Sequence, residues 1–173
     1  MTRLLWAAGA IALALLTQIA CSSWAPALSE RVDLLLIVVV WFGVSGSPVL
    51  AMLSGAAAGL IQDVLFGGLL GRGGFRKVLV GYLVSAVGSR IALDSWWTWS
   101  ISLALATLID HGTGVALGQL MGLPLADPFS ALILEKMLMN AVVGTILFLV
   151  IRRVSAERNR RASMRARSVR RVR

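Results

Sequence analysis

Apolar residues fall into six long runs, with the polar residues mostly between them. The runs cover about 4–20, 33–46, 49–70, 78–93, 96–121 and 129–151. Gly46-Ser47-Pro48 is a turn signal, so 33–70 reads as a tight helical hairpin rather than one long helix. A Gly71–Lys77 loop precedes the fourth run, and a loop with Pro124, Asp127 and Pro128 precedes the sixth. None of the runs alternates polar and apolar residues as the strands of a membrane barrel do. Within lipid every backbone group must be satisfied inside its own segment, which leaves the helix. The pattern predicts an all-α integral membrane protein with six transmembrane helices in one bundle, residues 1–151. Trp24 and the trio Trp96, Trp97 and Trp99 sit where aromatic side chains anchor at a membrane interface.

Composition agrees. Of 173 residues 58% are apolar and 14% charged, whereas soluble domains are about 25% charged. The isoelectric point of 11.6 alone would suit a nucleic-acid binder, but a mean hydropathy of +0.83 does not. At about 20 residues per span, the length allows six or seven crossings at most. Residues 1–21 imitate a lipoprotein signal ending at Cys21, but Gln18 stands where such sites want a small or aliphatic residue, and the apolar run is long. The segment is expected to be a retained first span.

The net charge of +9 has an address. Acidic and basic residues balance over 1–151, while 152–173 holds ten arginines and Glu157. That tail is too polar to build a core and is expected to be disordered in isolation. Its Arg152, Arg153, Arg158, Arg160 and Arg161 suit anionic lipid, at about 1 kcal/mol per basic residue near the surface. It lacks the interleaved aromatics of a nucleic-acid platform. Six crossings with a basic tail place both termini in the cytoplasm. Arg72, Arg76 and Lys77 then fall on the outer side, against the positive-inside tendency. Three readings remain open: the loop is partly buried in protein, the tail outweighs it, or 33–70 is re-entrant and the chain crosses five times.

Small residues recur every fourth position at Gly55/Gly59, Gly67/Gly71, Gly81/Ser85/Ser89 and Gly114/Gly118/Gly122. On a helix this spacing makes one face where backbones approach closely. It serves packing within the bundle or docking of a partner helix, with Gly55, Gly59, Gly67 and Gly71 the first docking candidates. Asp63, Asp110 and His111 lie inside apolar runs, where an ionised carboxylate needs a partner. Candidate partners are Arg76, Lys77, Arg90, Lys136 and His111. The roles open to the aspartates are helix-to-helix glue, a contact for a subunit or ligand, and an ion relay. No catalytic constellation is visible: adjacent Asp110 and His111 point about 100° apart on a helix, and no nucleophile–base set accompanies them. One cysteine and one histidine leave no ligand set for a metal, and no cofactor is expected.

The block Gly59-Leu-Ile-Gln-Asp63-Val-Leu-Phe-Gly67-Gly-Leu-Leu-Gly71, followed by Arg76-Lys77-Val-Leu-Val-Gly81-Tyr82-Leu83, resembles the rod-shape-determining MreD family. Asp33 opening the second run and Asp110 in the fifth extend the resemblance. It departs in having Val32 where the family often has proline, and in the length of the arginine-rich tail. The resemblance implies a six-helical fold similar to the S-components of energy-coupling-factor transporters. It also implies a non-enzymatic scaffold of the cell-wall elongation machinery in the bacterial inner membrane, concerned with rod shape and peptidoglycan synthesis. The implied partners are an MreC-like protein, a RodA-type glycosyltransferase, a class-B penicillin-binding transpeptidase and the MreB-like filament. The alternative is a vitamin-binding S-component of a transporter.

Overall fold

The computed structural model describes residues 2–44, 47–67, 69–88, 95–123 and 131–171, leaving aside the side chains of 2–4, 131, 155–156 and 158–171. The described residues are helical throughout, apart from short connections. In order they form α1 (Thr2–Trp24), a four-residue α2 (Pro26–Ser29), α3 (Leu34–Val44), α4 (Pro48–Leu65), α5 (Arg72–Gly88), α6 (Trp96–Leu120) and α7 (Ala131–Arg171). Pro26 and Pro48 each stand in the first turn of their helix. There the missing N–H has no helical partner to lose.

Among the described residues four segments are long and apolar enough to cross a membrane: Leu5–Trp24, Pro48–Leu65, Trp96–Leu120 and Leu132–Val154. The other two long helices depart from the expected spans. α3 has 11 residues, or about 16 Å against a hydrocarbon core of about 30 Å. α5 carries Arg72, Arg76 and Lys77 in its first two turns.

The 11-residue α3 is the centre of the bundle. It reads Leu-Leu-Leu-Ile-Val-Val-Val-Trp-Phe-Gly-Val, apolar on every side, as suits a helix surrounded by other helices and lipid. It touches α1, α4, α5, α6 and α7. Leu36, Ile37 and Val40 pack with Val80, Trp99 and Leu103. Leu35 and Val39 pack with Ile11, Ala14 and Ala58. Trp99 stacks on Phe148 with ring centroids 5.2 Å apart and meets Trp41 edge-on at 5.3 Å. Its indole N–H donates to the Gly144 carbonyl at 2.9 Å. Trp99 is therefore a core residue, because it lies on the face that α6 turns toward α3 and α7. Trp96 and Trp97 do face outward, and Trp24 is 91% exposed.

α4 and α5 approach backbone to backbone. A Cβ at Gly55 would collide with the Lys77 carbonyl, and one at Gly59 with the Gly73 carbonyl. From the α5 side, a Cβ at Gly81 would come within 2.7 Å of the Ala51 carbonyl. The four-residue spacing thus serves packing inside the chain, and Gly55 and Gly59 are covered by α5 and closed to a partner helix. Gly67 and Gly71 do not share a helix face. They lie in the α4–α5 turn at φ +70° and +94°, where glycine is favoured for its backbone. Gly81 and Ser85 are buried, whereas Ser89 lies outside the described residues.

The tail continues α7 to Arg171. Its arginines are good helix formers and extend a helix already begun by 131–151, whose nucleation cost is already met.

Candidate functional site

The polar side chains of the bundle meet at one end, where α1, α4 and α6 finish and α3, α5 and α7 begin. Asp33 organises it. Its Oδ1 accepts the Leu36 N–H at 2.9 Å and caps α3. Its own N–H donates to Asn140 Oδ1 at 2.8 Å, and Asn140 Nδ2 donates to Thr107 Oγ1 at 3.1 Å. Gln18 Oε1 accepts the Leu34 N–H at 3.1 Å, while Gln18 Nε2 donates to the Val32 carbonyl at 2.9 Å. Two side chains from other helices therefore satisfy amides that the start of α3 leaves free.

The three basic residues of α5 turn inward. Lys77 is completely buried, its Nζ 2.6 Å from Asp33 Oδ2 and 4.0 Å from Asp110 Oδ1. Arg76 grips Asp110 with two bonds, Nη2 to Oδ2 at 2.5 Å and Nε to Oδ1 at 3.2 Å. Arg72 donates to the Gly114 carbonyl at 2.7 Å. The glycine face of α6 makes room for these guanidinium groups. A Cβ at Gly114 would lie 3.0 Å from Arg76 Nη1, and one at Gly118 3.2 Å from Arg72 Nη2. Gly122 is not part of that face and sits in the turn after α6 at φ +67°.

Among the described residues Asp63 pairs with no basic side chain. Its carboxylate accepts the N–H of Gly71 at 2.9 Å and of Gly73 at 2.9 and 3.0 Å. It thus seals the N-terminus of α5, the positive end of that helix dipole. A Cβ at Gly73 would strike Asp63 Oδ1 at 2.5 Å, so the amide is reachable because the residue is glycine. The glycine–aspartate–glycine block is a helix-to-helix clasp: a buried acceptor on α4, and bare amides on the turn and first residues of α5. At the outer edge Arg31 pairs with Glu135 at 2.8 Å, both side chains about half exposed. Arg90 and Asp127 lie outside the described residues.

The basic 72–77 segment, expected as a loop, forms the first turns of α5, and this arrangement favours the reading in which it is partly buried in protein. Those charges are inside the protein, each already bonded, and do not present themselves as free loop charges, which are what the positive-inside tendency counts. Three residues that sequence reasoning passed over complete the set: Gln18, Thr107 and Asn140, all buried. An amide inside an apolar run was the available signal for Gln18 and Asn140.

The family described as rod shape-determining protein MreD matches residues 2–155. The chain belongs to the MreD family. Comparison with the curated proteins and with the solved structures gives no significant match, so the likeness to transporter S-components stays an implication of the sequence resemblance. For this MreD-family chain, rod-shape determination and a multi-pass membrane location follow from the family and the four apolar helices.

Within the cluster lies a cavity of about 180 Å³. Gln62, Arg76, Asp110, His111, Lys136 and Asn140 line it, with Glu30 at the exposed rim. His111 points into this cavity rather than pairing with Asp110, whose carboxylate is held by Arg76. At the opposite end Arg152 lies over the Phe148 ring at 5.5 Å and Arg153 is exposed. The side chains of Arg158, Arg160 and Arg161 lie outside the described residues.

Proposed function

We propose that this chain is a non-catalytic scaffold of the cell-wall elongation complex in the bacterial inner membrane. It binds an MreC-like partner, in company with a RodA-type glycosyltransferase, a class-B penicillin-binding transpeptidase and an MreB-like filament. Family membership across residues 2–155 carries the reading. The charge pattern supports six crossings with both termini cytoplasmic. The tail supplies the cytoplasmic arginines, and the cluster in which Arg76 and Lys77 are offset by Asp110 and Asp33 is assigned to the outer end. Under this reading α3 crosses only part of the bilayer, and the 25–33 segment with its polar cavity completes the passage.

A docking surface has to lie elsewhere than on Gly55 and Gly59. α1 and α7 flank α3 without touching each other. Between them is an apolar groove of about 340 Å³, lined by Trp6, Ala10, Val38, Phe42, Leu147 and Ile151. Lipid would fill it equally well on hydrophobic grounds, so a partner helix must gain there through close packing. A transmembrane helix of the MreC-like partner is assigned to this groove. The test is Ala10→Phe, which fills it. Co-purification of the partner should fall by at least about fivefold, the effect of losing one good interface contact, while insertion is retained. Gly9→Leu is the control, because Gly9 faces open space on another side of α1. Undiminished co-purification with Ala10→Phe would sink the groove assignment.

A further inference from the structure

The cavity at the charged end has polar capacity that the fold does not use. Of its three carboxylates, Asp33 is satisfied by Lys77 and Asp110 by Arg76, while Glu30 stands at the exposed rim. Lys136 is paired with no carboxylate among the described residues, and its neighbour Glu135 is turned outward to Arg31. His111 Nε2 and Gln62 Oε1 are buried without a hydrogen-bond partner. Leaving such atoms unpaired costs about 1–3 kcal/mol each, and buried polar atoms are nearly always paired. The volume of about 180 Å³ holds roughly six waters at about 30 Å³ each. Water would satisfy the amide and the imidazole but would leave the Lys136 ammonium without a counter-charge. Glu30 carries the opposite charge, but it lies at the exposed rim, where solvent screens it.

We propose that this cavity binds a small water-soluble molecule with a carboxylate or phosphate group and an adjacent N–H or O–H donor. The anionic group is held by Lys136 and His111, and the donor is accepted by Gln62 Oε1. This does not depend on the scaffold reading, since it concerns a site inside the bundle and not a partner surface. The three groups come from α4, α6 and α7, and α4 touches neither of the other two, so an occupant ties α4 to helices that the bundle leaves apart from it.

The sequence supplies its own reporter, because the chain has one histidine. Isotope-labelled histidine gives a single imidazole signal from inside the cavity. The full chain in neutral detergent is titrated with glycine, inorganic phosphate and acetate, with chloride matching the ionic strength. Glycine or phosphate should shift the His111 signal saturably, at least about threefold more tightly than acetate, which lacks the donor. Lys136→Gln should weaken that binding at least about tenfold, as expected for one charge-assisted bond. Lys136→Arg should retain it, and Arg153→Gln should have no effect. Absence of any saturable shift in the wild-type chain overturns the proposal. So does equal binding by the wild-type and Lys136→Gln chains. Equal affinity for acetate and glycine overturns the assigned ligand class. Titration of the wild-type chain alone decides the matter if Lys136→Gln does not insert.

Discussion

Lys77 and Asp33, 44 positions apart in the chain, meet with Nζ 2.6 Å from Oδ2 at the point where α3 begins against α5. The ammonium is wholly buried. An isolated charge there would be costly, and the pair holds because Asp33 also accepts a backbone N–H. Removing one partner leaves the other charge uncompensated. Lys77→Met should therefore destabilise the chain by about 3–5 kcal/mol. Adding Asp33→Asn, which keeps an acceptor for the Leu36 amide, should recover most of that loss. Thermal unfolding in detergent measures both. A double variant as unstable as the sum of its parts would show that the pair is not the coupling unit.

The Arg76–Asp110 clamp makes a different claim, about shape. Two parallel bonds need a guanidinium, so Arg76→Lys should cost about 1–2 kcal/mol although the charge is kept. Gly114 is part of the same device, since a Cβ there would press on Arg76 Nη1. Gly114→Ala should destabilise the wild-type chain but do little in an Arg76→Ala background. A double-mutant cycle on unfolding midpoints reads this coupling directly. Equal cost of Gly114→Ala in both backgrounds would place its effect outside the clamp.

The glycines of α4 test whether small-residue spacing is structural here. Gly59→Ala puts a methyl group into the backbone of Gly73 and Gly74, which cannot yield without parting α4 from α5. A loss of about 1–3 kcal/mol is expected. Gly9→Ala meets nothing and should be neutral or stabilising by up to about 1 kcal/mol, the ordinary helix preference for alanine. The decisive comparison is protein level in the membrane against partner recovery per molecule inserted. Gly59→Ala should lower the first and spare the second.

The sequence was legible where one residue type has one physical use. Uninterrupted apolar runs gave helices, and intramembrane aspartates announced a need for partners. Arg76 was among the candidates for Asp110, and Arg76 holds it. Spacing could not tell which use the glycines serve, because a face that receives α5 and a face that receives a foreign helix have the same four-residue repeat. Nor could it show that Asp63 would be satisfied by backbone amides, since glycine N–H groups carry no mark in a sequence. The Lys77–Asp33 pair was hidden for a third reason. Periodicity places a residue on a face, whereas the neighbour opposite depends on how α3 and α5 are brought together. The cavity escaped for the same cause, being built from every helix at once.

The six-crossing reading rests on where the charges of α5 are spent. If Arg72, Arg76 and Lys77 were free in a loop, they would oppose an outer location at the rate that sets membrane orientation. Arg76 and Lys77 are offset by Asp110 and Asp33, so of the three only Arg72, bonded to the neutral Gly114 carbonyl, keeps an uncompensated charge. On that reading the α4–α5 turn and the tail lie on opposite faces of the membrane. A variant with Cys21→Ser removes the native thiol, and single cysteines are placed at Leu70, which is 76% exposed, and at Arg153. A membrane-impermeant maleimide should label the Leu70→Cys chain in intact spheroplasts, and the Arg153→Cys chain only after permeabilisation. Labelling of both from the same side would mean that one of the three helices between the two positions, α5, α6 or α7, does not cross. Asp33→Asn with Asp110→Asn sharpens the test, because it frees the α5 cations without touching the tail. The fraction of chains with Leu70→Cys accessible from outside should then fall, which ties orientation to the buried pairs rather than to the arginines of α7.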